Sequence, residues 1–311
     1  MAYLQQAPQR CLGFDIACDT ITISDGDGLV TIANRRAPIR RFLQKCRAQL
    51  CVCEPTGGHE RILLEECLRL SIPVHRADTR RLKAFIRSHG RLGKSDAIDA
   101  RLMARYGRER WQDLALWQAP DPDRERLRCL VTRRADLLAM KVAEQNRAKA
   151  PGAAELAASY RDMLAAITRQ IRLLEAEIRK LVRKAGMRAR HAILTAMTGI
   201  GDITAAALLA LMPELGTLHR RQAAALAGLA PHPNESGTRV GYRRMRGGRP
   251  QLRTILFLPA LQAARGRGEL ADFYNRLITN GKKPIVAIAA TMRKIITILN
   301  ARLKTIQYQQ S

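Results

Sequence analysis

Aromatic side chains are scarce in this sequence and make up 4% of its 311 residues. Proteins that bind single-stranded nucleic acid of any sequence stack its bases on aromatic side chains. The scarcity therefore argues against a stacking platform of that kind. Acidic residues are also few, 27 against 54 lysines and arginines, which gives a formal net charge of +27. This excess is larger than solubility requires and destabilises the compact state by self-repulsion, so we expect a polyanionic partner.

Long apolar runs and closely paired cysteines are missing as well. The longest apolar run in the second half, Ala205–Met212, is too short to span a bilayer, and no signal peptide is recognisable at the start. We therefore expect a cytoplasmic protein that does not enter a membrane. None of the seven cysteines belongs to a Cys-x-x-Cys pair and the six histidines are scattered, which argues against a zinc site.

Four carboxylates lie where a metal-dependent enzyme would need them. Asp15 interrupts an apolar run that reads as a buried strand, where a carboxylate is unfavourable unless a cation or hydrogen bonds compensate it. Glu54 ends a second apolar run, just before a Pro-Thr-Gly-Gly turn. Asp96 and Asp99 follow Ser95, a predicted helix N-cap, at a spacing that puts both on one helix face. Carboxylate oxygens suit hard divalent cations, so the sequence predicts a Mg²⁺ site, with Mn²⁺ as the alternative ion.

The first 110 residues alternate between strand-like and helix-like segments. Three strands come first, with an Asp-Gly-Asp-Gly hairpin turn between the second and third, and a helix, a strand and a helix follow. This is the order of an α/β ribonuclease H-like (RuvC-like) fold, in which strand ends and a late helix bring acidic residues to one point. The predicted strands are Leu12–Ile16, Thr20–Ser24, Leu29–Ala33, Leu50–Cys53 and Pro73–Arg76, and the predicted helices are Ile39–Gln49, His59–Leu70, Thr79–Ser88 and Ser95–Arg108.

The middle of the chain is predicted to be helical. It starts with a linker in which we expect Pro120 and Pro122 to prevent a helix. Two long helices follow, Asp123–Lys149 and Ala153–Lys184, and the second carries apolar residues at alternating steps of four and three. This heptad pattern favours a coiled coil, formed either with the preceding helix or with another chain.

The last part of the chain is predicted to be mainly α-helical, with a break at Gly199-Ile200-Gly201. Helix, Gly-x-Gly, helix resembles the helix-hairpin-helix element, whose backbone amides receive a nucleic-acid phosphate. An ordinary turn between two helices is the alternative, and the charge of the chain favours phosphate contact by Gly199 and Gly201. The final helix, Pro284–Lys304, is amphipathic and is predicted to pack in the core.

A Pro-rich loop in this region presents Ser236 just before Gly237. Such a position gives a serine the exposure that a nucleophile needs, although a lone Ser-Gly is more often an ordinary loop serine. The basic tract behind it is rich in glycine, which lets backbone approach a nucleic acid closely, so we expect it to bind phosphates. Its arginines are Arg239, Arg243, Arg244, Arg246, Arg249 and Arg253.

Taken in order, these motifs resemble the insertion-sequence transposases of the IS-one-ten family, also called bridge-RNA-guided recombinases, with the Piv-type DNA invertases as relatives. The resemblance covers nearly the whole chain. Each motif is weak alone, and the ordered set is specific. The motifs are the segments Glu54–Gly57, Lys94–Ala100, Gly199–Gly201, Gly248–Arg253 and Gly281–Pro284.

The resemblance implies a RuvC-like domain with a DEDD carboxylate set, a coiled-coil connector and a C-terminal transposase domain with a catalytic serine. It assigns the carboxylates to Asp15, Glu54, Asp96 and Asp99 and the serine to Ser236. It also implies a homo-oligomer, a dimer or a tetramer, that acts on double-stranded donor and target DNA with a structured guide (bridge) RNA. The domains are then expected at residues 1–110, 111–188 and 189–311.

Three classes of function compete. The favoured class is an RNA-guided DNA recombinase that uses metal ions and a phosphoserine intermediate on Ser236. The second is a RuvC-like metal-dependent junction nuclease, or a DNA invertase that needs no guide RNA; in the nuclease the serine is incidental. The third is a non-catalytic architectural protein that binds nucleic acid through charge.

Overall fold

The computed structural model describes residues 2–90, 96–236, 239–241 and 243–309. For residues 96, 97, 185, 235, 236, 239, 240 and 306–309 it describes the backbone alone. The chain divides after Pro120 into two compact units. The predicted connector of residues 111–188 is therefore shared between the two units.

The first unit is built on a five-stranded mixed sheet. Its strands are β1 (Cys11–Ile16), β2 (Thr20–Ser24), β3 (Leu29–Ala33), β4 (Leu50–Cys53) and β5 (Val74–Arg76); its helices are α1 (Arg36–Cys46), α2 (Arg61–Arg69), α3 (Thr79–Ser88) and α4 (Asp96–Arg110), followed by a short 3-10 turn, Trp111–Asp113. The sheet order is β3-β2-β1-β4-β5. Strand β1 runs antiparallel to β2 and parallel to β4, which in turn runs parallel to β5.

Side-chain alternation along the strands divides the core of this unit between the two faces of the sheet. Leu12 and Phe14 of β1 pack with residues of α1 and α2. Cys11 of β1 and Val52 of β4 pack with residues of α3 and α4. Asp15 therefore belongs to the face that α3 and α4 cover.

The second unit is mostly helical, so the predicted α/β region followed by a helical region is confirmed. Its helices are α5 (Pro122–Arg147), α6 (Ala157–Val182), α7 (Ala185–Thr195), α8 (Asp202–Leu211), α9 (Arg220–Leu226), α10 (Pro250–Arg265), α11 (Glu269–Thr279) and α12 (Pro284–Gln309), with a 3-10 turn at Ala153–Leu156 and the short strands β6 (Pro231–His232), β7 (Glu235–Ser236), β8 (Arg239–Val240) and β9 (Arg244–Met245).

Helices α5 and α6 form a hairpin within the chain. Leu137 of α5 is buried with Ile167 and Ile171 of α6, two members of the predicted heptad. Arg134 also bridges to Glu175 across the pair at 2.7 Å. Of the two partners that the sequence allowed for the heptad helix, the structure shows the preceding helix.

Two prolines lie inside first turns, and for one of them, Pro122, we expected no helix. Helix α1 begins at Arg36, three residues before the predicted start, and includes Pro38. Helix α5 begins at Pro122 itself. The backbone amides of a first turn have no acceptor within the helix, so a proline there loses no hydrogen bond.

The segment Pro284–Thr305 of α12 is long and apolar enough to cross a membrane by length and composition. Its inner side packs against other helices instead. Ile295 and Leu299 are fully buried in one cluster with Leu252 and Leu256 of α10. This helix is the core element that its amphipathic pattern predicts.

Candidate active site

Asp15 and Glu54 lie side by side on the two central parallel strands. The register pairs Phe14 of β1 with Cys53 of β4. Asp15 and Glu54 are the next residues on the two strands, so they occupy neighbouring positions on the same face of the sheet. Both residues are half-buried. The two carboxylates that the sequence placed at strand ends are thus brought together at one sheet edge.

Helix α4 crosses this face in direct contact with β1. A Cβ atom on Gly13 would stand 2.0 Å from the carbonyl oxygen of Ala100, and one on Gly107 would stand 2.2 Å from Cys11 Sγ. Glycine is therefore required on both sides of the contact, once on the strand and once on the helix. These two contacts also fix the direction of α4, which runs antiparallel to β1.

The contacts set the position of Asp99 along the strand. From Gly107 back to Asp99 the helix covers about 12 Å. From Cys11 to Asp15 the strand covers about 13 Å. Since Gly107 lies against Cys11, Asp99 lies level with Asp15, one helical turn before Met103, which packs on the sheet.

The remaining predicted ligand, Asp96, is the first residue of α4. Its backbone lies one turn before Asp99, on the strand-end side of the helix. Its side chain and the predicted N-cap Ser95 lie outside the described residues.

A buried carboxylate that sequence analysis missed holds the loop behind Glu54. Glu60 is 5% exposed, and its Oε2 accepts hydrogen bonds from the amides of Thr56 and Gly58 at 3.1 and 2.9 Å and from the Thr56 hydroxyl at 3.1 Å. Arg76 Nε lies 3.3 Å from its other oxygen. Burial raises the pKa of Glu60, but the backbone hydrogen bonds and Arg76 lower it more, so its pKa stays below the ordinary value. The sequence has no signal for this role because a loop conformation supplies the donors.

The donor chemistry of this edge fits a hard divalent cation, because carboxylate oxygens are its preferred ligands. Among the described side chains, no three histidines, cysteines, aspartates or glutamates lie close enough together to hold a metal ion. The side chain of Asp96 is not part of that comparison. Mg²⁺ commonly takes one or two protein carboxylates and completes its shell with water and substrate phosphates. The edge therefore suits a cation that is held jointly with a phosphate-bearing substrate.

Ser236 lies at the end of a strand, where we had predicted a loop. Strands β7 and β8 pair with a register that sets Ser236 opposite Arg239. The amide of Gly241 donates to the Asn234 carbonyl at 2.9 Å and closes the base of this two-stranded ribbon. The adjoining β6–β9 pair carries Arg244. Ser236 and part of the arginine tract thus share one small antiparallel structure in the second unit.

Two arginines of the tract bind protein oxygens. Arg249 forms a bidentate pair with Glu214 at 2.8 and 2.6 Å. Arg253 donates to the carbonyl oxygens of Gly228 and Gly247 at 3.2 and 3.1 Å. Burial raises the pKa of Glu214, but the hydrogen bonds from Arg249 lower it more, so its pKa is below the ordinary value. These contacts fix the helical support from which the ribbon extends.

The other described arginine side chains of the tract, Arg243, Arg244 and Arg246, are exposed. The Gly-x-Gly element lies between α7 and α8, as predicted. Gly199 has a φ of +89°, and a Cβ there would stand 3.2 Å from the Pro259 carbonyl oxygen. Gly201 is the N-cap of α8.

Two transposase family profiles match this chain. A DEDD transposase profile of the IS110 type matches residues 19–151, which include Glu54, Asp96 and Asp99 and begin just after Asp15. A profile for transposases of the IS116/IS110/IS902 family matches residues 191–275, which include Ser236.

Curated relatives agree with these profiles. A pilin gene-inverting protein of Moraxella lacunata is 27% identical over 259 residues, which cover 81% of this chain and 79% of that protein. Its counterpart from Moraxella bovis is 29% identical over 229 residues and covers 72% of this chain and 70% of that protein. A 43.6 kDa protein of insertion element IS110 from Streptomyces coelicolor is 33% identical over 156 residues, 49% of this chain and 38% of that protein.

Proposed function

This chain belongs to the IS110 family of transposases and is a DNA-recombining enzyme, and we propose that it joins a DEDD carboxylate site in the first unit to a serine nucleophile in the second. The observation that carries the first half is the strand register that sets Asp15 beside Glu54, with Asp99 level with them on α4. The sheet order, with three antiparallel strands followed by two parallel ones, supports a RuvC-like assignment for this unit.

In this proposal Asp15, Glu54, Asp96 and Asp99 hold Mg²⁺, or Mn²⁺ in its place. When bound, the cations neutralise charge that develops on the phosphate oxygens during strand cleavage. The chain's own contribution is to fix the oxygen donors. The parallel strands set the spacing of Asp15 and Glu54. The contacts at Gly13 and Gly107 set the position of Asp99 along β1, level with Asp15.

The proposed nucleophile is the Ser236 hydroxyl. Its oxygen attacks a backbone phosphorus, the hydroxyl proton leaves to a base or water, and the bond from phosphorus to the DNA 3′-oxygen breaks as that oxygen takes up a proton. The product is a phosphoserine ester that conserves the energy of the phosphodiester. A 3′-hydroxyl from another strand can then attack the ester and release the serine, which exchanges strands.

The exposed arginines Arg243, Arg244 and Arg246, and Arg239 at the register position opposite Ser236, are the proposed phosphate contacts of this unit. We assign the Gly199–Gly201 turn to the same role because the amides at the start of α8 follow it. Arg249 and Arg253 have protein partners, and we assign them to supporting the ribbon.

We further propose that the working form is a homo-oligomer, a dimer or a tetramer, in which the serine of one subunit acts with the carboxylates of another. A structured guide RNA pairs with donor and target DNA in this proposal. The composition is compatible with a separate guide: the chain has the charge to hold nucleic-acid backbones but few aromatic side chains on which bases could stack.

A covalent protein–DNA adduct tests the serine. Ser236→Ala should form no adduct, whereas Ser159→Ala, an exposed serine at the start of α6, should form as much as wild type. Chelation of divalent cations should also abolish the adduct without abolishing binding. An adduct formed by Ser236→Ala would remove this serine from the mechanism.

The shared site is tested by mixing two inactive variants. Ser236→Ala and Asp99→Ala should each be inactive, and a mixture with confirmed subunit exchange should regain partial activity because some sites combine two intact halves. No recovery in that mixture would show that each subunit carries a complete site. Sequencing the RNA that copurifies with the wild-type protein tests the guide, and retained recombination after complete RNA removal would refute it.

The pilin gene-inverting relatives favour a second candidate, inversion of a DNA segment without guide RNA. The two candidates differ in their requirement for RNA and in the products from paired sites. An invertase should act on inverted sites within one molecule after nuclease treatment has removed all RNA.

A further inference from the structure

A cleft on the first unit, away from the carboxylate edge, has the features of a phosphate site. It has a volume of about 400 Å³ and lies between α3, α4 and the 3-10 turn that follows α4. Arg81 and Arg110 line it together with Tyr106, Ser88 and Asp113. Phe85 and Tyr106, which also line the cleft, pack edge to face with ring centroids 5.1 Å apart.

The tyrosine in this cleft is a candidate hydroxyl donor beside the two arginines. Tyr106 is 6% exposed and lines the cleft. Its hydroxyl is not a buried atom without a partner; among the described side chains that holds for Asn34 Oδ1 alone. We therefore expect a phosphate in the cleft to accept from this hydroxyl in place of water. Burial raises the pKa of Tyr106 above its ordinary value, so the hydroxyl is protonated at neutral pH.

The charges around the cleft favour an anion. Arg81 and Arg110 are exposed and have no ion pair with any described side chain. Asp78, the N-cap that precedes α3, accepts from the amides of Arg80 and Arg81 at 3.0 Å each. Among the described residues, Asp113 is the one acid that lines the cleft.

The outer side of α3 extends this positive surface. Arg80, Lys83 and Arg87 are exposed at helical spacing and have no ion pair within the described part of the chain. On the other face of the sheet, Glu66, 1% exposed, holds Arg40 and Arg69 at 3.0 and 3.1 Å, while Arg41 and Lys45 of α1 are exposed. The α3 side places cations that have no ion pair with a described side chain next to the cleft.

We propose that the cleft of Arg81, Tyr106 and Arg110 binds a phosphate of the nucleic-acid backbone that passes the carboxylate edge. Tyr106 lies seven residues from Asp99, about 10 Å along α4. A single nucleic-acid backbone can span this distance, so one strand can lie at the edge and in the cleft together. The inference rests on the proposed function in requiring a nucleic acid at that edge.

Binding of labelled duplex DNA, and of duplex RNA with the same sequence, to the full chain without added metal tests this site. Arg81→Gln with Arg110→Gln should weaken binding about tenfold and lower the log–log salt slope by about two, because two phosphate contacts are lost. The matched control, Arg41→Gln with Lys45→Gln on exposed positions of α1, removes the same charge and should change the slope by less than one. Equal losses in both double variants would refute the site.

Two single variants act on the cleft without removing a cation. Tyr106→Phe keeps the packing and should weaken binding about threefold, in line with one lost hydrogen bond, with unchanged thermal stability. Asp113→Asn should strengthen binding, since it removes a negative charge from the lining of the cleft. Wild-type affinity in Tyr106→Phe, or weaker binding in Asp113→Asn, would contradict a phosphate there.

These measurements distinguish DNA from RNA as the ligand of the cleft. They also distinguish failure of the phosphate-site proposal from failure of the proposed function. A loss seen with DNA alone assigns the cleft to substrate DNA, and a loss seen with RNA alone assigns it to the guide. If Asp99→Ala abolishes strand cleavage while the cleft variants behave like their control, the proposed carboxylate site is supported and the phosphate site in the cleft is refuted. If Asp99→Ala cleaves normally while the cleft variants lose binding, the phosphate site is supported and the proposed carboxylate site is refuted.

Discussion

In the first unit, Asp15 lies on a central strand of a five-stranded sheet and Glu54 directly follows the neighbouring strand, whereas Ser236 of the second unit lies on a ribbon of two-residue strands. The sheet edge is held from both sides, by α4 against Gly13 and by the Glu60 hydrogen bonds behind Glu54. The described ribbon backbone is held by its own short pairing and by one further hydrogen bond at its base.

This difference matches the demands of the two proposed roles. Ligands of a cation must keep their geometry within fractions of an ångström, which buried strands can provide. A nucleophile that bonds to DNA and later leaves it needs a support that can move, and short strand pairings open more easily than core strands. The comparison predicts that substitutions in the first unit act on geometry or folding, and that substitutions on the ribbon act on chemistry and binding.

The largest expected effect is on activity. Asp99→Ala should lower strand cleavage by about 10³-fold or more, since it removes a group proposed to act in the transition state. Its thermal unfolding should be close to that of wild type. Asp27→Ala, an exposed acid in the turn before β3, is the matched control and should cleave normally. Wild-type cleavage by Asp99→Ala would refute the assignment of Asp99 to a catalytic carboxylate site in the first unit.

Two glycine substitutions, one in each unit, test the comparison by their effects on the free energy of unfolding. Gly13→Ala should lower the free energy of unfolding by about 3 kcal/mol, because the new Cβ meets backbone atoms of α4 that cannot move aside. Gly186→Ala in α7 has open space around the added atom and should stabilise by about 0.5 kcal/mol. Both tryptophans, Trp111 and Trp117, lie in the first unit, so their fluorescence reports its unfolding alone.

Calorimetry completes this measurement for the second unit. Gly13→Ala should shift the transition that the tryptophans report and leave the other in place, and Gly186→Ala should do the reverse. A Gly13→Ala protein with wild-type stability would mean that α4 is not fixed at this contact.

The arginine tract offers a smaller and more selective test. Arg249→Gln should destabilise the second unit by about 2 kcal/mol, since it breaks the bidentate pair and leaves Glu214 with weaker partners. Arg244→Gln, at an exposed position, should change stability by less than about 0.5 kcal/mol and should weaken DNA binding. Chemical denaturation and DNA titration of the two variants measure both quantities. Equal losses of stability in the two variants would contradict the assignment of Arg249 to supporting the fold and of Arg244 to binding DNA.

The smallest effect concerns acid stability of the first unit. Glu66, bonded to Arg40 and Arg69, has a pKa of about 2 against an ordinary value of 4.5. A carboxyl with a lowered pKa stabilises the folded state fully above its unfolded pKa, and this contribution declines as pH falls from 4.5 to about 2. Tryptophan-detected unfolding of wild type should weaken over that range. Glu66→Gln should be less stable at neutral pH and should lose less stability than wild type between pH 4.5 and about 2. The remaining slope comes from other carboxyls of this unit with a lowered pKa, such as Glu60. A slope equal to that of wild type would contradict this.

Sequence reasoning located the strands of the first unit within one residue at either end, because apolar alternation and turn residues mark them clearly. It also placed Asp15 and Glu54 at strand ends. The level of Asp99 could not be predicted, since it depends on where Gly13 and Gly107 bring α4 onto the sheet.

Errors were concentrated in the second unit. Helix α10 was not predicted because the glycines and arginines before it were read as one binding loop, and Pro259 lies within the helix. The bidentate partner of Arg249 is 35 residues earlier in the chain, and nothing local indicates such a contact. Long-range pairing decides which arginines support the fold and which remain exposed.

The ribbon that carries Ser236 also sets how far the serine can extend. In an antiparallel ribbon, successive residues face opposite sides and each adds about 3.4 Å. Lengthening both strands by one residue would turn the serine to the opposite side, while lengthening both by two would restore its side and advance it by about 7 Å. If the serine is to keep facing the same side, the distance from the base of the ribbon to the serine can therefore change only in steps of two residues. Few ribbon lengths are compatible with one position of the serine.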